Sequence, residues 1–378
     1  MHKKIVIAHI VQSTIGGVAE YLKILISRLD KDLFENIIIC PTKAALSSEM
    51  KALGIKVVNL EMKRDINIKD ISLTLKLIKI LKENKVDIVH AHSSKAGADA
   101  RMAAFFAKKP CIYTPHNWSF NMRVKKYKTR IYTMIERFLT LFTKYIIQVS
   151  DYEYGTALKH RIKKSKLVVF KNAIDIDRFE KVSEYDKLAV KKELNIKEDK
   201  TVVGMVARLT EAKSPQTFVK VAKKLLERDN NMFFIFVGDG EYREAIEEEL
   251  KRLNISDNFL ITGWVKEIEK YLAIMDVGVL TSIWEGLSLT VIEYLAAKVP
   301  VAASNIGGVY DVIIDNYCGF LVEPDDTNGF AKKIERLAYD NQLRERFISN
   351  GYELVKKEFQ INRLVDQHKE LYKKLIEL

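Results

Sequence analysis

The apolar residues of the chain alternate between short continuous runs and longer stretches with helical spacing. In the first half, six runs rich in Val and Ile predict strands, and Val168–Phe170 closes the series. The six are Lys4–Val11, Ile37–Cys40, Val57–Leu60, Ile88–Ala91, Ile112–Thr114 and Tyr145–Val149. Helical spacing falls between them, at Ala19–Leu29, Ile71–Glu83, Gly97–Ala107 and Arg130–Phe142. Strands that alternate with helices predict a doubly wound α/β domain.

The same alternation restarts at Thr201 and predicts a second α/β domain. Its strands are expected at Val202–Ala207, Phe233–Val237, Phe259–Thr262, Val277–Leu280, Val301–Ala303 and Gly319–Val322. Its helices are expected at Pro215–Arg228, Arg243–Leu253, Glu267–Met275, Leu289–Lys298 and Gly329–Tyr339, before a final helix at Arg363–Glu377. We therefore divide the chain into a first domain (1–175), a polar linker (176–200) and a second domain (201–358). Two such domains on one linker predict a cleft between the carboxyl edges of their sheets.

The composition supports this division. A chain of 378 residues exceeds the usual size of a single hydrophobic core. Hydrophobic residues make up 48% and charged residues 30%, as in a soluble globular enzyme rather than a disordered chain.

The net charge of +12 is distributed unevenly. Residues 1–180 hold 33 Lys and Arg against 17 Asp and Glu, a net charge of +16, whereas residues 181–378 carry −4. A basic first half predicts an anionic partner, either nucleic acid or a membrane rich in anionic lipid. Because the chain has no RNA-binding signature, we favour the membrane. A solvated lysine-rich surface is the competing interpretation.

Neither a spanning segment nor a leader is expected. No apolar run reaches the ~18 residues that a spanning helix needs. The opening MHKKIVIAHIV contains His9 and leads into Gly16-Gly17 instead of a cleavage site, so we interpret it as the first strand. The cysteines are widely scattered and are expected to be buried thiols of a cytosolic protein: Cys40, Cys111 and Cys318.

The stretch from Leu280 to Gly308 carries the most chemical information. A strand ends before Glu285, and a helix containing Glu293 follows. Amides at a helix start bind anions, and carboxylates accept hydrogen bonds from sugar and ribose hydroxyls. Together they suit a nucleotide-sugar. The amides expected to be unpaired are those of Gly286, Leu287 and Ser288.

Arg208 and Lys213 follow the predicted strand Val202–Ala207, in a loop that leads to Pro215. Two cations at the carboxyl end of a strand would neutralise a diphosphate. The alternative is a pair of exposed loop charges, and we favour the diphosphate because the cations coincide with the helix start described above.

Three glycine-containing turns could line the same edge. Gly16-Gly17 lies between a strand and a helix, without the GxGxxG spacing of a dinucleotide site, and fits either a ligand loop or a plain turn. Gly238 begins a Gly-Asp-Gly turn in which Asp239 would serve equally well as a helix cap. Trp264 fits either a base pocket or the core.

His116 ends a strand of the first domain, where it would donate a hydrogen bond to a sugar hydroxyl or a developing charge. A purely structural histidine is an equal alternative. His90 and His92 face one side of a strand end, but no third ligand stands at useful spacing, so we expect no metal.

Two basic amphipathic stretches could rest on a membrane. One is the helix Ile71–Glu83, and the other runs from Arg123 to Tyr145. We expect the apolar face of each to belong to the domain core, and the flanking lysines to be the membrane candidates.

Taken together, these residues resemble the retaining GT-B glycosyltransferases of family 4 over nearly the whole chain. The most specific element is Glu285-x7-Glu293, followed by the run Ala296–Val301 and by Gly307-Gly308. It is supported by Arg208-x4-Lys213, Gly238-Asp239-Gly240 and the stretch Asn172–Asp175. The stretches His92–Gly97 and Thr114–Phe120 look like those of enzymes of bacterial capsule and exopolysaccharide assembly.

The resemblance implies roles for the site residues. Glu285 would hold the donor sugar and Glu293 the ribose, while Arg208 and Lys213 would bind the diphosphate. Gly16 and Gly17 would pack against the diphosphate, His116 would lie by the donor sugar, and the final segment 359–378 would return to the first domain. In place of the family's usual Gly-Phe-Gly-Leu the chain has Gly286–Leu289.

The implied reaction is transfer of a hexosyl unit from a nucleoside diphosphate sugar, with a UDP-sugar favoured, and with retention at the anomeric carbon. The cations make a metal ion unnecessary, and no cofactor is expected. A polyprenyl-diphosphate-linked glycan is the expected acceptor, at the cytoplasmic face of the cell membrane and without nucleic acid. The alternatives are a non-hydrolysing nucleotide-sugar epimerase and a non-catalytic nucleotide-sugar sensor.

Overall fold

A computed structural model of the chain describes residues 3–12, 16–42, 45–62, 70–121 and 125–377. Arg123, where we began the second basic stretch, lies outside these residues. The chain divides into two compact units. The first combines Met1–Asn172 with Ile361–Leu378, and the second is Ala173–Gln360.

The described part of the first unit is built on a parallel sheet. Its strands are β1 (Ile5–Ile10), β2 (Phe34–Cys40), β3 (Lys56–Asn59), β4 (Ile88–His92), β5 (Cys111–Thr114), β6 (Tyr145–Gln148) and β7 (Leu167–Val169). They lie in the order β3-β2-β1-β4-β5-β6-β7. The inner strands are buried along their length, as expected for a parallel sheet covered on both faces.

Six helices connect or follow these strands within the described residues. They are α1 (Gly17–Arg28), α2 (Ala45–Ala52), α3 (Asp70–Glu83), α4 (Ser94–Phe106), α5 (Lys126–Leu139) and α6 (Asp151–Lys159). The spacing of apolar residues did not predict α2 or α6. For α6 a capping signal was present in the sequence, because the Ser150 side chain accepts a hydrogen bond from the Glu153 amide at 3.1 Å.

The second unit repeats this architecture. Its strands are β8 (Thr201–Val206), β9 (Met232–Val237), β10 (Phe259–Ile261), β11 (Val277–Leu280), β12 (Val301–Ser304) and β13 (Phe320–Val322), in the order β10-β9-β8-β11-β12-β13. Its helices are α7 (Ile176–Glu180), α8 (Lys187–Glu193), α9 (Pro215–Leu226), α10 (Arg243–Arg252), α11 (Glu269–Ile274), α12 (Leu289–Ala296), α13 (Thr327–Tyr339) and α14 (Asn341–Glu358). Every strand pair in it is parallel.

From their polar composition we predicted that residues 176–200 are a linker. They form α7 and α8 and belong to the second unit. Asp186 caps α8 by accepting hydrogen bonds from the Leu188 and Ala189 amides. Scattered apolar side chains bury against the unit, and the charged residues between them concealed this signal: Ile176, Phe179, Val182 and Val190.

The last helix, α15 (Ile361–Glu377), packs on the first unit, as the resemblance implied. Its buried residues recur at helical spacing and include His368 and Tyr372. The Tyr21 hydroxyl of α1 lies 2.6 Å from His368 Nε2, and the Tyr372 hydroxyl lies 2.7 Å from His90 Nδ1. The C-terminal helix is therefore joined to the sheet of the first unit by buried hydrogen bonds.

The two basic amphipathic helices differ in what they bury. The helix α3 has a core face, as predicted, and Leu81 lies on it, but Leu75, which we counted among its apolar positions, is 62% exposed. Leu73 and Leu77 are buried in its place. For α5 the prediction was wrong, because Ile131 and Phe138 are exposed. The described contacts of α5 are made instead by Glu136 and its neighbours on the opposite side. The cysteines are confirmed as buried free thiols: Cys40, Cys111 and Cys318.

Candidate active site

Two loops of the second unit meet at the carboxyl ends of neighbouring strands. One follows β8 and the other follows β11, and these strands pair directly. The Ile283 amide donates to the Ala212 carbonyl at 2.8 Å. The Thr281 hydroxyl lies 3.1 Å from the Lys213 carbonyl and 3.0 Å from that of Ser214. These hydrogen bonds fix the loop with the predicted cations against the loop with the first predicted carboxylate.

Lys213 and Glu285 form an ion pair across the two loops. Their side chains are 21% and 12% exposed, so the pair is largely shielded and still reachable by a ligand. The Ser282 hydroxyl donates to Glu285 Oε1 at 2.8 Å and fixes the carboxylate. The ammonium of a lysine has three protons to donate, and the remaining ones stay available to a phosphate oxygen. The structure therefore brings together Lys213 and Glu285, which belong to two separate sequence motifs.

Arg208 lies in the same loop after β8. Its Nε atom is buried and has no hydrogen-bond partner among the described residues. A buried donor without an acceptor is unfavourable by about 1–3 kcal/mol, and more when it is charged. An oxygen of a bound anion would satisfy this Nε donor.

The helix start after Glu285 differs from the prediction at one amide. Ser288 is the N-cap of α12, and its side chain accepts a hydrogen bond from the Val291 amide. The Ser288 amide itself donates to the Gly308 carbonyl at 3.2 Å, so it is not the free anion donor that we expected. Of the first-turn amides of α12, that of Val291 is used by this cap, whereas those of Leu289 and Thr290 have no acceptor within the helix. Gly286 and Leu287 precede this cap, and the Leu287 side chain is buried.

Gly308 explains why the two segments approach so closely. Its φ is 77°, and a Cβ at this position would lie 2.5 Å from the Gly286 carbonyl oxygen. Only glycine fits this contact. The sequence motif included Gly308, but its pairing with the Glu285 loop depended on the order of β11 and β12 in the sheet.

Glu293 lies one turn into α12 and is half-buried. The next residue, Tyr294, is fully buried, and its hydroxyl accepts a hydrogen bond from the Val206 amide at 2.7 Å. Burial raises the pKa of this phenol, so it stays protonated. Tyr294 therefore anchors the carboxylate-bearing helix to β8. We did not predict the role of Tyr294 from the sequence, although an aromatic residue on the apolar side of α12 indicates a packing contact.

The Gly-Asp-Gly turn packs against the same loop after β8. Gly238 has a φ of 145°, and a Cβ there would lie 2.0 Å from the Ala207 carbonyl oxygen. Asp239 does not cap the next helix, as one interpretation had it; its side chain accepts hydrogen bonds from the Gly240 amide and from Arg243. Trp264 is 61% exposed, which rules out the core alternative.

In the first unit, Gly16 precedes α1 with a φ of 74°. Its carbonyl accepts hydrogen bonds from the Ala19 and Glu20 amides, and nothing described lies within 4 Å of the position that a Cβ would take. Gly17 is the first residue of the helix. The turn therefore leaves free space beside its backbone.

His116 also has left-handed backbone, with a φ of 61°. Its Nε2 atom lies 3.1 Å from His92 Nδ1. The centroids of the Tyr21 and His116 rings are 4.8 Å apart, and the two rings meet edge-on. Burial lowers the pKa of His116 to about 3, so its imidazole is neutral at pH 7. A neutral imidazole can accept a hydrogen bond as well as donate one.

From the sequence we expected no metal, because His90 and His92 have no third ligand at useful spacing. The structure provides one, because His9 on the neighbouring strand β1 brings a ring nitrogen within 4.8 Å of theirs. Every ring nitrogen of the three is nevertheless within hydrogen-bond distance of a protein group. A metal ion would have to displace those contacts.

Known protein families account for both units. The model described as Glycosyltransferase Family 4 matches residues 15–178, and that described as Glycosyl transferases group 1 matches residues 186–354. An Escherichia coli UDP-Gal:α-D-GlcNAc-diphosphoundecaprenol α-1,3-galactosyltransferase is 30% identical, over 98% of this chain and 97% of its own. The chain belongs to the family 4 glycosyltransferases. The Staphylococcus aureus capsular polysaccharide biosynthesis glycosyltransferase CapM is 28% identical over 82% of this chain and 83% of its own.

Solved structures agree on the fold of this family 4 glycosyltransferase. Anabaena HepE, solved in complex with UDP and glucose, superposes with a TM-score of 0.84 at 19% identity, over 98% of this chain and all of its own. A glycosyltransferase from Rickettsia africae gives a TM-score of 0.83 at 22% identity, over 99% of both chains. The predicted GT-B fold, with two doubly wound units, is confirmed.

The enzyme class is confirmed as well. Neither the epimerase nor the sensor finds support among the relatives of this family 4 glycosyltransferase. In the part of the chain that the structure describes, no helix combines the length and apolar character needed to cross a bilayer.

Proposed function

We propose that this glycosyltransferase moves a hexosyl unit from a UDP-sugar to a polyprenyl-diphosphate-linked glycan in surface polysaccharide synthesis, with retention of anomeric configuration. The observation that carries the proposal is the Lys213–Glu285 pair, held between two loops at the carboxyl ends of paired strands. The name of the Escherichia coli relative supports the donor and acceptor classes, since it specifies UDP-Gal and a diphosphoundecaprenol-linked sugar.

The donor is bound by complementary charges in the second unit. Lys213 and Arg208, whose Nε atom has no partner among the described residues, bind the diphosphate together with the first-turn amides of α12. Glu285 accepts hydrogen bonds from sugar hydroxyls, and Glu293 does so from the ribose. These cations neutralise the diphosphate without a metal ion. Gly238, Gly286, Leu287 and Ser288 shape the loops around it.

Three residues of the first unit take the roles that the resemblance to the family 4 enzymes implies. Gly16 and Gly17 contact the diphosphate, and the space beside Gly16 supports this assignment. His116 contacts the donor sugar, and the first unit takes the acceptor.

The reaction is a front-face displacement at the anomeric carbon. The bond from that carbon to the β-phosphate oxygen breaks, and a bond to the acceptor hydroxyl oxygen forms on the same face. The proton of that hydroxyl passes to the departing phosphate oxygen. Arg208 and Lys213 stabilise the charge that develops on the diphosphate, which is the largest single contribution expected in such a site.

A donor panel tests this proposal. UDP-, GDP- and ADP-hexoses are compared by thermal shift, and nucleotide release is then measured with and without a synthetic polyprenyl-diphosphate-linked N-acetylhexosamine. We expect UDP-sugars alone to raise Tm, and UDP release to depend on the acceptor. Isomerisation of the donor without acceptor, or stabilisation by GDP- or ADP-sugars only, would contradict the proposal.

A lipid-linked acceptor requires the enzyme to reach the cytoplasmic face of the membrane, and α5 supports this. Its exposed apolar residues recur at i, i+4, i+7, i+8 and i+11, which places them on one stripe of the helix. Met134 is 69% exposed at the middle of the stripe, and Leu141 is 70% exposed just beyond its end. The other members are Tyr127, Ile131, Ile135 and Phe138.

The charges around this stripe complement anionic lipid. The only acidic residue between positions 100 and 150 is Glu136, and it is buried against Arg101. The exposed cations flanking the stripe are Lys125, Lys126, Lys128, Arg130 and Arg137. An exposed apolar stripe between cations is typical of a helix that lies in the membrane interface.

Vesicle binding tests the membrane contact. Vesicles of phosphatidylcholine, with and without phosphatidylglycerol, are sedimented with wild-type and variant enzyme. Replacing Met134 and Phe138 by serine should weaken binding at least tenfold, since burial of each side chain contributes on the order of 1.5–3 kcal/mol. Neutralising Lys76, Lys79, Lys125 and Lys126 should remove the preference for anionic lipid. Leu188→Ser, at an exposed apolar residue of the second unit, is the control. Unchanged binding in both variants would contradict the contact.

A further inference from the structure

A chain of buried hydrogen bonds leads from an amide on β2 to His116. Asn36 Oδ1 lies 3.1 Å from His9 Nε2, and His9 Nδ1 lies 3.3 Å from His92 Nε2. His92 Nδ1 then lies 3.1 Å from His116 Nε2. Asn36 is 6% exposed, and both His9 and His92 are completely buried. From the sheet interior at β2, the chain therefore passes through β1 and β4 and reaches His116 at the end of β5.

The direction of this chain follows from its first member. A carbonyl oxygen only accepts, so His9 Nε2 carries the proton that it donates to Asn36. Because a neutral imidazole has one N–H, His9 Nδ1 accepts a hydrogen bond from His92 Nε2. By the same reasoning, His92 Nδ1 accepts from His116 Nε2. The proton of His116 is thus on Nε2, and its Nδ1 carries a lone pair.

Burial keeps the chain neutral. The pKa of His9 is lowered to about 4 and that of His116 to about 3, in both cases chiefly by desolvation. The pKa of His92 is lowered too, by desolvation and by the neighbouring histidines. A second proton on any ring would remove an acceptor that its neighbour needs.

We propose that Asn36, His9 and His92 are positioning residues that hold His116 as the Nε2–H tautomer, so that its Nδ1 accepts a hydrogen bond from a hydroxyl of the donor sugar. This proposal rests on the proposed function, which places His116 beside that sugar. It reverses our expectation from the sequence, in which His116 donates. Among the described residues no group is within hydrogen-bond distance of His116 Nδ1.

The chain also accounts for the backbone of His116. A non-glycine residue with a φ of 61° is held there only when its surroundings determine the conformation. The hydrogen bond to His92 and the edge-on contact with Tyr21 supply that constraint.

A second set of buried hydrogen bonds lies beside the first and does not include His116. His368 Nδ1 donates to the Leu364 carbonyl at 2.7 Å, so its Nε2 accepts from the Tyr21 hydroxyl. His90 is within hydrogen-bond distance of Tyr372 and Thr114. His368 is as buried as His92 but does not bond to His116, which makes His368→Gln the matched control.

Tautomers can be read directly by ¹⁵N NMR on protein labelled at histidine. In wild-type enzyme we expect His116 to show a protonated Nε2 and an unprotonated Nδ1. His92→Leu should give a mixture of tautomers at His116, and His368→Gln should leave them unchanged. A protonated Nδ1 in wild-type enzyme would overturn the proposal, as would a stoichiometric metal ion lost on His9→Ala. This readout does not depend on whether a UDP-sugar is the donor.

Kinetics separate positioning from folding. For His92→Leu we expect kcat/KM for the donor to fall by about 10–100-fold, the size of effect typical when a hydrogen-bond partner that fixes the tautomer and orientation of a functional histidine is lost. His92→Asn should recover most of this loss, because its amide oxygen can accept from His116 Nε2. His368→Gln should stay within about threefold of wild type. Equal losses in all three variants would indicate a structural role and overturn the assignment. If no sugar is transferred at all, the proposed function fails while the NMR result stands.

Discussion

The two units share one sheet topology and carry opposite chemistry. All seven histidines of the chain lie in the segments assigned to the first unit, and four of them are completely buried. The second unit has none and instead places a shielded ion pair and a buried, unpartnered guanidinium nitrogen at its strand ends. The first unit thus keeps its buried histidines neutral and hydrogen-bonded to protein groups, whereas the second places charged side chains at its strand ends, where a ligand can reach them. The same fold accommodates both because the residues after each strand are free to differ.

The largest difference that we predict between the two units is in their stability at acidic pH. Burial lowers the pKa of His9, His90, His92 and His368 below the ordinary value of 6.5. The unfolded chain binds protons below pH 6.5 while the native state does not, so stability is full above that pH and falls as the pH decreases toward the folded pKa values. At pH 5.5 each histidine costs about 1.4 kcal/mol, or about 6 kcal/mol for the four.

Unfolding at pH 7.5 and pH 5.5 would check this difference between the units. Tryptophan fluorescence can follow each unit separately, with Trp118 retained as the reporter of the first and Trp264 of the second. The first unit should lose much more stability than the second. Equal losses in the two units would contradict the prediction.

A buried ion pair distinguishes the interiors of the units. Arg101 Nη2 lies 2.9 Å from Glu136 Oε2 in the first unit, and both side chains are buried. Glu136→Ala leaves the guanidinium buried and unpaired, which should cost about 3–5 kcal/mol in urea unfolding. In the second unit, the pair of Arg228 with Glu335 is exposed, and Glu335→Ala should cost less than about 1 kcal/mol. Similar costs in the two variants would show that burial does not set the difference.

Catalysis should depend on the charges of the second unit. Lys213→Ala should lower turnover by about 10²–10³-fold, because stabilisation of the departing diphosphate is lost. Glu285→Ala should also lower turnover by about 10²–10³-fold, because the donor sugar loses its hydrogen-bond acceptor and Lys213 loses its partner. Tm should change little, because the loops keep their backbone hydrogen bonds. Lys270→Ala is the control, since this lysine pairs with Glu193 away from the loops. Wild-type turnover in either variant would remove that residue from the site.

The smallest predicted effect concerns the anchor of α12. Tyr294→Phe removes the acceptor of the Val206 amide and should lower the free energy of unfolding by about 1–2 kcal/mol. Tyr317→Phe, at an exposed tyrosine of the same unit, should have almost no effect. Urea titration followed by circular dichroism compares the two, and an equal response would argue against the anchoring role.

The sequence determined most of the fold and the place of the site. Runs of buried residues identified the strands because a strand covered on both faces must be apolar along its length. The loop after β8 and the loop after β11 followed from the ends of these strands, so Lys213 and Glu285 could be assigned before any contact was known. The helices α2, α6, α7, α8 and α14 were not predicted, because their few buried side chains are separated by polar residues.

Contacts between distant segments needed the tertiary structure. His9 and His92 are 83 positions apart, and only the pairing of β1 with β4 brings their rings together. The Gly308 carbonyl accepts a hydrogen bond from the Ser288 amide, which we expected from the sequence to be unpaired. The apolar stripe of α5 has the spacing of a core face, yet it is exposed because the opposite side of the helix packs through Glu136. Periodicity reports how residues alternate along an element, but which side is covered depends on the elements that the fold places beside it.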